Sequence, residues 1–322
     1  MRIIITIMCA LLALGAAGCG AAYVPEPISP PPYTPPASAG FTDPRYDQVY
    51  AFTEGMALVE KDGKWGFINE ELEEIVPPKY DMATDFFRGF ANVWFGDLIG
   101  LVDKTGEEVV SPQYNALCNF FEGLAWVKKG DKWGCIDEKG NVIIPFEYDY
   151  MSFRFSEGLS GVMLGFKWGF IDKEGNMVIK PKYQDVDNFE NGLAGVVLRG
   201  KWGFINKEGK EVVKPKYDGY RASNDQKLDG IITVFLKEKV GFINREGKEL
   251  TKVKYDATKD FKNGRAPVKL NNKWGFVDTE GREVVPLIYD RVEHFKEGLA
   301  YVEKDGKEGY IDMEGNVAVP LE

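Results

Sequence analysis

The 322-residue chain contains one histidine, His294, and only four cysteines. Imidazole-based triads and proton shuttles therefore have a single residue to draw on. His294 sits in "RVEHFKEG", a connection that varies from copy to copy, and reads as a surface side chain and not as a general base. Zinc would need more ligands than one imidazole and the few thiols supply. Cys9 falls in an N-terminal leader and Cys19 directly after it, so the body keeps Cys118 and Cys135, too few for a disulfide framework. One bridge between them is open in an oxidising compartment. The free state is the other reading, because Cys135 stands where sister segments have a Phe, and a free thiol packs as a small apolar group. Positive charge is also in deficit, with 40 Lys and Arg against 50 Asp and Glu, a net charge of -10. That balance excludes the basic footprint that nucleic acid needs and favours solubility. No segment keeps a helical period, and the glycines are spaced as turns, not as phosphate-binding loops.

The first residues, "MRIIITIMCALLALGAAGC", give one basic residue, an apolar run and small residues before Cys19. Residues 1–18 read as a secretory signal peptide, too short for a spanning helix. "LGAAGC" resembles the lipobox of bacterial lipoproteins, with Ala16 where Leu is usual, and makes Cys19 the expected lipidation site. Ordinary cleavage near Ala17 or Ala22 is the alternative. Residues 19–44 carry "VPEPISPPPYTPP", too rich in proline for a packed element and suited to an extended tether. The expected location is the bacterial cell envelope, at the outer membrane or cell surface, with the membrane as partner through the lipid anchor.

What the rest of the chain has in abundance is repetition. "KWGFIDKEGNMVIKPKY" at Lys167 is echoed by "KWGFINKEGKEVVKPKY" and "KWGFVDTEGREVVPLIY". The Gly after the Trp position recurs at Gly66, Gly100, Gly134, Gly169, Gly203, Gly241, Gly275 and Gly309. Eleven residues earlier another Gly recurs, six residues later a third (Leu72 is the exception), and in the first seven copies a Tyr follows fourteen later. All length variation falls between that Tyr and the next Gly. Fixed spacing indicates a hydrogen-bonded register, and tolerated insertion marks an exposed connection. Eight units follow: 45–78, 79–112, 113–146, 147–181, 182–215, 216–253, 254–287 and 288–322.

The unit "KWGFID..G..VI.P.YD" resembles the bacterial WG-repeat family over residues 45–322. The resemblance implies a repeat fold and no particular reaction. Read from the residues, each unit is an all-β antiparallel meander of three strands: "LAYV", "WGFID" and "VVxP", joined by a short polar turn and a D-x-E-G turn. The Asp and Glu of that turn serve turn geometry, since their spacing lacks a calcium-loop ladder. Pro ends the third strand, and a Phe after each Tyr-Asp (Phe86 and Phe295, for example) packs under the connection.

Trp65, Trp133, Trp168, Trp202 and Trp274 are expected to be core, with Lys64, Lys132, Lys167, Lys201 and Lys273 lying over them by their stems. The sixth copy has Ile232 where six copies have Ala, and Val240 where most have Trp. Read as a volume-conserving swap, this places the two positions in contact across the first hairpin. Such units must stack to bury their faces, and eight can run as an open β-superhelix or close as a propeller-like ring. The open array is the expectation, because Glu308 replaces Trp in the last copy and a charge belongs at an exposed end.

No cofactor or metal site is read, no carboxylate pair stands out for glycoside cleavage, and an enzyme is not expected. The expected function is a non-catalytic extracytoplasmic binding or scaffold protein offering a β-repeat surface to a protein or glycan. Trp94, Arg154 and Tyr220, on varied stretches, are the candidate contacts. The alternatives are a cell-wall carbohydrate binder, which exposed Trp-Gly hairpins would favour, and a hydrolase with an inconspicuous carboxylate site.

Overall fold

A computed structural model describes residue 40, residues 42–222 and residues 230–322. The leader, Cys19 and nearly all of the proline-rich tether lie outside the described residues, as does the middle of the sixth repeat's long connection. The chain divides into two compact units, Met1–Lys182 and Tyr183–Glu322.

All described regular structure is β, in eight antiparallel sheets, one per repeat. The first sheet shows the plan: Gln48–Val49, Met56–Lys61, Lys64–Asn69 and Glu74–Tyr80, hydrogen-bonded in chain order. Seven sheets have four strands, one more than the sequence reading supplied; the sixth has three. The extra strand lies in the Tyr-to-Gly connection and is only two residues long in most copies. Met82–Ala83, for example, pairs with Trp94 and Val93. Two residues show no alternation, so their pairing is set by the neighbouring strand and not by their own pattern.

The Glu-Gly pair that opens the first block is itself a two-residue hairpin turn. Thr53 and Met56 exchange backbone hydrogen bonds around Glu54 and Gly55, both with positive φ. The Trp-Gly glycine has a different cause. Trp65 faces Tyr80 and Phe67 faces Val76, so two steps on one strand meet four on the other. The third long strand arches there, and a Cβ on Gly66 would sit 2.4 Å from the Val76 carbonyl oxygen. The same clash, at 2.3–2.6 Å, awaits Gly100, Gly134, Gly169, Gly203 and Gly275. Proline occupies the arch, on an edge strand where its missing N–H forfeits no ladder bond. This Gly and the Pro two or three residues before the Tyr recur together in six copies because one makes room for the other.

Within each unit the faces of successive sheets build the core. Met56, Leu58 and Phe67 of the first sheet share a cluster with Ala91, Val93 and Val102 of the second. This corrects the expected contact between Ala and Trp across one hairpin. In the register, Ala57 pairs with Ile68 and Trp65 with Glu60, so Ala57 and Trp65 point to opposite faces of their sheet. Trp65 instead shares its core with Ala91 of the next repeat. Likewise Ile232 packs in the cluster that holds Trp202, and Val240 in the one that holds Ala266, so the two substitutions of the sixth copy do not compensate each other.

The compensating position is the direct cross-strand partner. Where Ile99 replaces Trp its partner is Trp94, and where Val240 replaces Trp its partner is Phe235. Trp133 and Trp168 are buried, whereas Trp65, Trp202 and Trp274 are half-buried. Cys118 and Cys135 form no disulfide and are buried in one cluster, and burial pushes the Cys135 thiol well up.

Candidate functional site

The polar residues at fixed repeat positions are occupied in holding the array together. The Asp after each Tyr bonds with one oxygen to the turn of its own first hairpin: Asp81 accepts the Gly96 N–H at 2.6 Å and Asp290 the Asp305 N–H at 2.8 Å. Asn115 and Gln184 keep that bond with their amide oxygens. The other carboxylate oxygen takes the Lys of the preceding repeat, as in Lys64–Asp81 at 2.5 Å and Lys273–Asp290 at 2.6 Å; Lys132–Asp149, Lys201–Asp218 and Lys239–Asp256 do the same. Of the lysines expected to lie over the indoles, Lys64, Lys132, Lys201 and Lys273 have their ammonium groups paired with a carboxylate one repeat on. The ion pair first, and then the backbone N–H, keeps Asp81, Asp149 and Asp218 below the usual carboxylate range.

A second clip joins Lys-Tyr to a Glu of the next repeat. Lys79 Nζ and Tyr80 Oη both donate to Glu108 Oε1, at 2.7 and 2.6 Å. Lys254 and Tyr255 meet Glu283 in the same way. The signal for it was present in the sequence: Gln113, Glu147 and Ile288 replace the Lys, and the following repeats carry Val142, Met177 and Val317 in place of the Glu. The turn carboxylates are consumed as well, with Asp137 accepting the backbone N–H groups of Lys139 and Asn141.

The three candidate contacts divide. Trp94 is 6% exposed and belongs to the core, where it stands in for the Trp its hairpin lacks, so it presents no contact surface. Tyr220 is half-buried, with its ring edge-on to Phe204 at 4.7 Å and to Trp202 at 5.2 Å. It occupies the role that the connection Phe has elsewhere, as Phe86 does against Phe67 at 5.0 Å. The sixth repeat has no such Phe. Its hydroxyl donates to Asp187, and burial followed by that carboxylate's charge raises the phenol far above its usual range. Gly195 leaves room for this pair, since a Cβ there would meet the Tyr220 Oη at 2.5 Å. Arg154 alone is exposed, on a connection one residue longer than most.

The candidate Arg154 stands just before a connection Phe, Phe155, and sequence reasoning did not extend its candidacy to the other copies of that position. In the first unit it holds Asp85, whose Oδ1 is buried without a hydrogen-bond partner among the described residues. In the second it holds Asn188 and His294, each also with one buried, unpartnered polar atom. His294, expected on the surface, is half-buried; desolvation first, then Lys262 and Lys259, lowers its pKa. Asp85 lines a small, partly open pocket of about 30 Å³ with Thr84, Asn92, Asn119, Phe87, Phe90 and Phe120 at its walls. Burial raises the Asp85 carboxyl above its ordinary range. Arg88, at the same pocket, spends its guanidinium on the Phe120 carbonyl and on the rings of Phe87 and Phe121. Asp85 is the one carboxylate of this pocket.

A comparison with curated proteins finds no significant match. Among solved structures the chain is similar to a eukaryotic initiation factor at 10% identity, covering 90% of each chain with a TM-score of 0.39. It is also similar to Kluyveromyces lactis Hsv2 at 12% identity, covering 84% of this chain and 94% of that one with a TM-score of 0.33. A third similarity is to PorZ, a bacterial surface component of the type-IX secretion system of Porphyromonas gingivalis, at 8% identity, covering 83% of this chain and 43% of that one with a TM-score of 0.27. At scores this low the likeness assigns nothing to this chain. The family model described as "WG containing repeat" matches residues 42–65, 65–93, 99–133, 133–167, 168–202, 202–225, 241–274 and 274–307. With its Trp-Gly hairpins, arched proline strands and Tyr-Asp clips repeated through most of its length, the chain belongs to the WG-containing repeat family.

Proposed function

We propose that the protein is a non-catalytic binding or scaffold protein, exported and held at the bacterial cell envelope by lipidated Cys19, which presents the varied connections of its repeats to a protein partner. One observation carries this reading: polar groups at fixed positions are spent on inter-repeat clips, whereas the varied position before the connection Phe holds polar atoms without partners among the described residues. Division of labour between a fixed core and a varied face is how repeat arrays bind. The indoles favour a protein over a glycan, because a sugar platform needs exposed rings and these are buried or half-buried. A hydrolase reading needs two carboxylates flanking one bond, and the Asp85 pocket supplies one.

The test is affinity capture from the native envelope with tether and body intact, beside a pull-down on peptidoglycan. A defined protein retained by the body, with no retention on glycan, is the expected result. Retention on peptidoglycan alone would replace the reading with the carbohydrate one. Mass spectrometry of the mature N-terminus tests the anchor: diacyl or triacyl mass on Cys19 is expected, and its loss in Cys19→Ala should release the protein from the membrane.

A further inference from the structure

The Asp85 pocket combines features that a purely structural carboxylate lacks. An aspartate in a repeat connection is ordinarily spent on a backbone N–H or a lysine, as the exposed Asp81 is four residues before the half-buried Asp85. Asp85 Oδ1 has no such partner among the described residues, although it sits at the wall of a pocket open to solvent. Leaving a buried carboxylate oxygen unpaired costs free energy, and the cost is recovered only when a donor arrives. The nearest cation of the pocket, Arg88, is turned away and held between Phe87 and Phe121. The remaining walls are rings (Phe87, Phe90 and Phe120) and neutral polar groups (Thr84, Asn92 and Asn119). Aromatic walls around one carboxylate favour a cation carried on an apolar stem, through ring quadrupoles and a charge-assisted hydrogen bond. The space suits a slender ammonium better than a drug-sized ligand. The chain's charge of -10 draws basic partners toward it.

From this geometry we infer that the Asp85 pocket is a binding site for a primary ammonium, occupied by a lysine side chain of a basic partner protein. The inference rests on the reading of the protein as a binder and names the chemistry of its partner. Asp85 receives the ammonium, Phe87, Phe90 and Phe120 pack on the methylene stem, and Asn92 and Asn119 line the mouth. Asp85 thus resembles many binding groups in being a liability to the free protein: replacing it with a neutral isostere removes a half-buried carboxylate whose Oδ1 is unpaired among the described residues.

The experiment uses the mature protein and n-butylammonium as the probe, followed by backbone NMR, with n-butanol as the uncharged control. Wild type is expected to show saturable shifts confined to residues 84–92 and 117–120, with none from butanol. Asp85→Asn should weaken the amine about ten- to a hundredfold, the worth of a charge-assisted hydrogen bond. Its midpoint of unfolding should not fall, which separates loss of the site from loss of the fold. Asp97→Asn, which removes the same charge from an exposed turn, should leave binding unchanged. Equal binding by wild type and Asp85→Asn, equal losses in both variants, or no saturable shift in wild type would each overturn the inference. A captured partner indifferent to Asp85→Asn would overturn it while leaving the binding role standing. Amine binding at Asp85 without any captured partner would sink the broader role and keep the ammonium site.

Discussion

Leu72 occupies the place where seven sister repeats have glycine, at a φ of 63°. In the later copies two constraints meet at this position. Gly106 has a φ of 85°, and a Cβ on it would lie 2.6 Å from the Ile75 carbonyl oxygen of the preceding sheet. The first repeat has no preceding WG repeat in the chain, so only the backbone constraint applies to Leu72, and its side chain stands 40% exposed. Left-handed backbone costs a non-glycine residue about 1–2 kcal/mol, part of which glycine gives back as extra freedom in the unfolded chain. Leu72→Gly is therefore expected to stabilise the protein by up to about 1 kcal/mol. Gly106→Ala should destabilise it by about 2 kcal/mol or more, since strain and overpacking add. Urea unfolding of the two variants against wild type reads both signs. The Gly66 class was legible in the sequence as a mark of phase. Its cause was not, because the arch that approaches it lies eleven residues on and is a matter of register.

At the scale of the strand and its connections, the Lys-to-Asp and Tyr-to-Glu clips set the pH response. Asp149 is held below its ordinary range by the Lys132 ammonium and then by the Gly165 N–H. A folded pKa below the unfolded one contributes stability that is present above about pH 4 and is lost as pH falls through the folded value. The pair is nearly half exposed, so its worth is only about 0.5–1 kcal/mol. Asp149→Asn should lower the free energy of unfolding at pH 7 by that amount, and the difference from wild type should shrink by pH 3. A constant difference across that range would show that the amide fails for a reason other than charge. Asp85 carries the opposite sign. Its raised pKa means that stability is lost as pH rises from the ordinary carboxylate range through the folded value. A missing clip can also be supplied: Gln113→Lys with Val142→Glu reproduces the Lys79–Glu108 geometry one repeat later. The double variant is expected to exceed the sum of the two single ones by about 0.5 kcal/mol in a double-mutant cycle.

On the scale of the whole molecule, each described sheet buries its faces against its sequence neighbours within its unit, so stability is a sum of nearest-neighbour interfaces. A lesion at one interface should stay local. Gly281 is such a site, because a Cβ there would come 2.1 Å from the Leu250 carbonyl oxygen of the preceding repeat. In Gly281→Ala, hydrogen exchange should accelerate in Lys239–Ile243 and Lys273–Asp278, while Lys201–Asn206 keeps its protection. Uniform acceleration through the second unit would mean that its repeats unfold as one block.

The repeat number, the all-β class, the turns and the positions that recur from copy to copy were all legible in the sequence, because a fixed register writes itself as fixed spacing. The sequence also carried the Lys-Tyr to Glu covariation, which was there to be read. Only the tertiary structure decided which faces meet. Period-two alternation says that two residues lie on opposite sides of a strand, but not that Trp65 meets Ala91 of the next sheet and not Ala57 of its own. Stacking brings together residues of successive repeats, and a repeated pattern is blind to that offset, since every copy looks the same to its neighbour. The buried place of Trp94 and the unpaired Asp85 oxygen belong to the same class, because each depends on what the next repeat puts beside it. The short fourth strand was hidden for another reason, since two residues carry no alternation of their own.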